Sequence, residues 1–175
     1  MQNFIVRITQ ENTELLNNGN IGCFILPDSS SPQFAAQFVS LAHQKNKLVL
    51  AEGENAPGFY KQFNTDGFIL NTVKAENPQK LLKQAKAQAP KAVIGAVCRN
   101  RRHEAMLVSE AEPDFVIFKF WQDGLATNLE LLNWYNDLFL IQCAAQIEED
   151  IDLSSVAADF IIIDDVRFCK ILLAK

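Results

Sequence analysis

A set of polar side chains closes the apolar segments of this sequence: Arg7, Asp28, Glu52, Asn71, Arg99, Lys119, Gln142, Asp164 and Asp165. Lys119 is the most telling of them. It lies in the run FVIFKF, and period-two alternation sends Phe115, Ile117 and Lys119 to one side of a strand. An ammonium inside an apolar strand is costly unless it is paired, so Glu52, Asp28 or Asp164 is the expected partner. Two readings follow. Lys119 binds an anion or attacks a carbonyl as a Schiff-base lysine, with a carboxylate tuning it; or it forms a structural ion pair over the core. Lys119 and Glu52 are the candidate catalytic pair, and Arg7, Asp28, Asn71, Arg99, Lys119, Gln142, Asp164 and Asp165 the candidate ligand contacts. Asp164-Asp165 offers either a carboxylate pair for a divalent cation or a helix N-cap, with Asp165 opening the last helix.

Other reactive residue types point away from chemistry. Cys23, Cys98, Cys143 and Cys169 are scattered, with no CxxC, and core packing is the expectation for them. His43 and His103 lack metal-ligand spacing and belong on exposed helix faces. Phe120, Trp121, Trp134 and Tyr135 read as an aromatic cluster for core or subunit contact, which leaves a homo-oligomer open.

The chain has 175 residues, 49% of them apolar and 21% charged, the balance of a soluble globular domain. A net charge of −5 and the short Arg99-x-Arg101-Arg102 cluster argue against nucleic acid as a partner. No apolar run reaches the roughly 18 residues that span a bilayer, and the N-terminus carries no secretory pattern. With free cysteines, a cytoplasmic location is expected.

The positioning elements repeat. Residues 92–118 give an apolar run, an amphipathic run and a second apolar run broken by Pro113-Asp114, which is a βαβ unit with parallel strands. Further strands are expected at residues 4–9, 21–26, 47–51, 68–70, 138–143 and 160–163. Ser31-Pro32 and Asn77-Pro78 open helices; Asn128 is expected to cap another, and residues 147–156 to form a short acidic helix. Eight strands alternating with helices or their remnants predict one compact (β/α)8 TIM barrel domain with shortened helices. An open doubly wound parallel sheet is the alternative. Residues 160–163 should then pair with residues 4–9.

Three stretches carry a family resemblance: the run from Leu41 through Lys47-Leu-Val-Leu50 into Thr65-Asp-Gly-Phe-Ile-Leu70, Ile94-Gly-Ala-Val97 followed by Glu112-Pro-Asp-Phe-Val116, and Val156-Ala-Ala-Asp-Phe160. In order and spacing the chain resembles the thiamine phosphate synthase and thiazole tautomerase superfamily. The resemblance implies a phosphate-binding barrel of thiamine metabolism, with magnesium as the family's metal. The family's functional motifs are replaced. Phe24, Leu26 and Asp28 stand at its diphosphate-binding Gln-x-Arg-x-Lys pattern, and Ala51-Glu52 at its Asn-Asp. Lys74 stands at a second magnesium aspartate, Val97 at its serine, and Phe120-Trp-Gln-Asp123 at its threonine-rich loop. Cys143-Ala144 and Asp164-Asp165 occupy its phosphate-binding turns, where carboxylates repel a phosphate. No cofactor is therefore expected, and magnesium would have only Glu52 and Asp165. Two functions remain open: a degenerate barrel, a pseudoenzyme that binds a small molecule or a protein partner, and an active enzyme of altered chemistry built on Lys119 and carboxylates.

Overall fold

Eight parallel strands in sequence order close into a barrel. The computed structural model describes residues 3–173. The strands are β1 (Asn3–Arg7), β2 (Ile21–Pro27), β3 (Leu48–Glu52), β4 (Gly67–Asn71), β5 (Val93–Val97), β6 (Phe115–Phe120), β7 (Gln142–Ile147) and β8 (Phe160–Asp164). The helices are α1 (Pro32–Gln44), α2 (Ala56–Phe63), α3 (Pro78–Gln88), α4 (Arg102–Glu110), α5 (Leu125–Leu138) and α6 (Asp165–Leu173). After β1 and β7 the helix shrinks to a single 3-10 turn, Glu14–Asn17 and Leu153–Ser155. The acidic helix expected over residues 147–156 is therefore absent. Its segment carries Glu148, Glu149, Asp150 and Asp152, whose like charges oppose a helix without a longer apolar face. The described residues group into two compact units, one of residues 3–69 with 162–173, the other Leu70–Ile161.

Local chemistry sets the boundaries. Ser31 accepts a bond from the Phe34 N–H, with Pro32 in the first turn of α1. Asn77 does the same for the Lys80 N–H ahead of Pro78 and α3. Three aspartates fix strand register. Asp66, Asp114 and Asp159, each just ahead of an even strand, accept the backbone N–H of Val49, Ile94 and Cys143 at 2.7–2.8 Å. Those are the aspartates of Thr65-Asp-Gly, Pro113-Asp-Phe and Ala158-Asp-Phe, so each recurring motif ties an even strand to the odd strand before it.

In the first unit, Phe24 packs edge-on to Phe38 of α1 with ring centroids 5.4 Å apart, and Phe4 meets Phe168 of α6 at the same distance. Phe4, Val6, Phe24, Leu26, Val49 and Ala51 thus face the helices, and register places Arg7, Ile25 and Leu50 side by side on the barrel interior. In the second unit, Phe118 packs against Tyr135 of α5, centroids 5.2 Å apart, and the Tyr135 hydroxyl bonds Ser109 at 2.8 Å. Phe115 points the other way. Its ring lies over Gly95, where a Cβ would come within 2.5 Å, and 6.0 Å from Phe160. Each buried aromatic or aliphatic side chain of these layers contributes about 1.5–3 kcal/mol.

Two sequence expectations shift here. β7 runs from Gln142 to Ile147 rather than over residues 138–143, because α5 continues to Leu138 and the sheet-compatible run is the small, buried Cys143-Ala144-Ala145. α5 also starts at Leu125, so Asn128 is not its cap but a buried residue inside it.

Candidate functional site

The C-terminal ends of the strands carry the charged candidates, and in the first unit nearly all of them are engaged with one another. Arg7 faces the interior at the end of β1 and forms a two-pronged pair with Glu52 at the end of β3, at 2.6 and 2.8 Å. Asp28 follows β2. Its carboxylate accepts the Asn55 N–H at 2.7 Å and fills the space beside Gly53, whose φ of +132° any side chain would strain. Asp164 accepts the Arg167 N–H at 2.7 Å and pairs with the Arg167 guanidinium, so Asp164, not Asp165, caps α6. Asp165 is buried and accepts from the backbone N–H groups of Thr9 and Gln10 at 3.0 and 3.1 Å and from the Thr9 hydroxyl. It ties the segment after β1 to α6. The expected cap moves by one residue because Asp165 is drawn into this tie.

The two carboxylates expected for magnesium, Glu52 and Asp165, are both engaged by protein groups. Both Glu52 oxygens face the Arg7 guanidinium, and Asp165 is saturated with protein donors. Among the described residues no three His, Cys, Asp or Glu side chains gather where a metal ion could sit. On β2, two of the positions expected at a diphosphate, Phe24 and Leu26, face away from the barrel interior. Both point to the helices, and the interior positions of that strand are Cys23, Ile25 and Pro27, so the interior face of β2 offers no cation to a diphosphate.

The second unit is organised around Lys119. With Phe118 against α5 and Phe115 over Gly95, alternation turns Lys119 to the interior, as its strand pattern implies. Of the expected carboxylates, Glu52 is held by Arg7 and Asp164 by Arg167. Asp28 is taken up by Asn55, and the Lys119 ammonium makes no ion pair or side-chain hydrogen bond among the described residues. The expected salt bridge is not made among the described residues. Beside it stands a residue that the sequence reading missed. Gln146 of β7 pairs in register with Lys119, shares its face, is buried, and donates to the Glu148 carboxylate. Counting the alternation from Cys143, whose Sγ bonds Asn136 of α5, finds it: Cys143 faces the helix, so Gln146 faces inward. Gln142, in contrast, opens β7 at the opposite end and is exposed. The turn after β7 holds Glu148, Glu149 and Asp150, not Cys143-Ala144, so no glycine pair offers N–H groups to a phosphate there.

Asn71 ends β4, is exposed, and accepts the Val73 N–H at 3.0 Å. Arg99 is half-exposed and 3.8 Å from Glu104. Behind Lys119, Asn100 donates to the Lys119 carbonyl at 2.7 Å and to Asn128 Oδ1 at 2.8 Å, fastening the turn after β5 to β6 and α5. Cys98 and Cys143 are buried and their thiols are pushed up to about 12, chiefly by burial; the Cys23 thiol is raised likewise. Cys169 is exposed, which departs from a uniform core role. His43 sits on the exposed face of α1 but bonds Asp66 at 3.0 Å. Among the aromatic residues, Trp134 and Tyr135 gather around Phe139, while Trp121 is 42% exposed and has no ring partner among the described residues.

No family model and no curated protein sequence matches this chain. Solved structures do. A thiamine phosphate pyrophosphorylase from Pyrococcus furiosus is similar with a TM-score of 0.73 at 17% identity, covering 92% of this chain and 84% of that one. The HpcH/HpaI aldolase from Desulfitobacterium hafniense DCB-2 is similar at 0.68 and 11%, covering 99% and 90%. The citrate synthase SbnG is similar at 0.68 and 10%, covering 99% and 92%. The chain is a TIM barrel. At these identities the likeness is one of fold, and three neighbours of different chemistry leave the reaction to be argued from the residues. Among the described residues, no helix of the barrel is long and apolar enough to cross a membrane.

Proposed function

We propose that this TIM barrel is a thiamine phosphate synthase-like protein that has left synthase chemistry and binds a small anionic or carbonyl-bearing molecule through Lys119. The observation that carries this reading is the state of Lys119. It is turned to the barrel interior, partly open to solvent, and without a carboxylate partner among the described residues, while the candidate carboxylates are bound to other groups. A structural ion pair would have consumed it. Gln146 supplies an amide on the same face, oriented by Glu148, and so fixes the position of a second polar contact for the ligand.

The interior of β2 and the acidic turn after β7 argue against a diphosphate or phosphate held as in the family, and no metal or cofactor belongs to this reading. An active enzyme using Lys119 as nucleophile is the second reading. It is favoured by the same unpaired ammonium, and Glu52, bound to Arg7, does not serve it as base.

Thermal melts with a panel of carboxylate, keto-acid and phosphate-bearing compounds test the proposal, run on the wild type and on Lys119→Met. A ligand-induced rise in Tm that is lost in Lys119→Met supports it. A rise that survives the substitution removes Lys119 from the site. Borohydride trapping of a keto acid on Lys119, seen as a mass adduct, would select the second reading.

A further inference from the structure

Two side-chain donors without partners among the described residues, the Asn128 amide nitrogen and the Trp121 indole, lie at the start of α5. Lys119 O can only accept, so the Asn100 atom facing it is Nδ2. That nitrogen also donates to Asn128, which fixes Asn128 Oδ1 on the same side and turns Asn128 Nδ2 away from it. Asn128 is 2% exposed, and its Nδ2 has no partner among the described residues. A buried amide donor left unpaired keeps its full desolvation cost, so an acceptor belongs there. Nδ2 points at Gly124. A Cβ built on Gly124 would lie 3.3 Å from Asn128 Nδ2 and 2.6 Å from Trp121 Nε1. The indole is also donor-only and unpartnered among the described residues. Gly124 is the N-cap of α5, no side chain caps this 14-residue helix, and its first turn holds no acidic residue. The preceding Asp123 is exposed and its side chain does not cap the helix.

We infer that Trp121, Gly124, Asn128 and the first turn of α5 form an oxyanion-binding site, which takes a carboxylate or phosphate oxygen of a small ligand. A helix N-terminus supplies backbone N–H groups and a partial positive charge. The indole and amide N–H groups give direction, and the missing Gly124 side chain leaves the indole room to close over the oxygen. The site stands on these contacts and not on Lys119.

Trp121 is its own reporter. Inorganic phosphate and acetate are titrated separately against the wild type while indole fluorescence is followed, with chloride at matched ionic strength as control. A saturable response to either oxyanion, absent with chloride and absent in Trp121→Phe, is expected. Gly124→Ala puts a methyl against the indole nitrogen and should weaken binding about tenfold or more, the scale of one lost charge-assisted hydrogen bond. Asn128→Leu should do the same, and circular dichroism checks that each variant is folded. Lys119→Met should retain the response, which separates this site from the one at Lys119. No saturable response to phosphate or acetate, or a response unchanged in Gly124→Ala, would overturn the assignment and leave a water molecule as the acceptor.

Discussion

Arg7 and Lys119 are both cations turned to the interior at strand ends, and the two respond differently to removal. Arg7→Met strands a partly buried Glu52 carboxylate and should cost about 1–2 kcal/mol of stability, allowing for its partial exposure. Lys119→Met strands nothing, because its ammonium holds no carboxylate among the described residues, so the melt should stay within about 0.5 kcal/mol of wild type. Denaturant titration of the two variants checks the contrast; equal losses would mean that Lys119 is an unrecognised structural pair. The thiols give a pH test. Burial holds Cys98 and Cys143 up to about 12 in the folded chain, above their value when unfolded. Their contribution to stability is therefore present below the ordinary thiol pKa and is lost as pH rises from about 9 towards 12. At mildly alkaline pH a maleimide should modify Cys169 in the native protein and leave Cys98 and Cys143 until denaturant is added.

At the scale of elements, three of the four even strands, β4, β6 and β8, are each tied to the strand before them by one aspartate. Asp114→Ala removes the acceptor for the Ile94 N–H at 2.7 Å and should cost about 1–2 kcal/mol, with Asp114→Asn recovering part of it. Urea unfolding of both variants measures this; equal losses in Ala and Asn would show that the side-chain acceptor is not what matters. This device explains why the three Asp-containing motifs could be recognised in the sequence. They report a local geometry that recurs at β4, β6 and β8, whatever the barrel does. Helix starts were legible for the same reason, since Ser31 and Asn77 act within three residues of themselves. β7 was not legible as such. Alanine and glutamine carry little strand preference, and Cys143-Ala144-Ala145-Gln146 becomes a strand because β6 pairs with it along six residues.

For the whole molecule, the proposed departure from synthase chemistry rests on the interior of β2, the bound state of Glu52 and the acidic turn after β7. No thiamine phosphate should form from the pyrimidine diphosphate and thiazole phosphate substrates above a buffer control. Product that appears and is abolished by EDTA would overturn that expectation. Closure of the barrel was expected from eight strand-like runs, and the strand order β1 to β8 closes as expected.

The sequence by itself determined the alternation of strands and helices, most helix starts and the inward face of Lys119, with a closed barrel expected over an open sheet, because periodicity, capping and strand alternation act over a few residues. Only the tertiary structure decided which charges are free. Arg7 finds Glu52 across 45 residues of chain, Asp165 finds Thr9 across 156, and Asn100 finds Asn128 across 28. Such partners are chosen by the closing of the sheet and not by spacing in the chain. For that reason Lys119 loses its expected carboxylates, and Asn128, expected to cap a helix, becomes a buried donor in need of an acceptor.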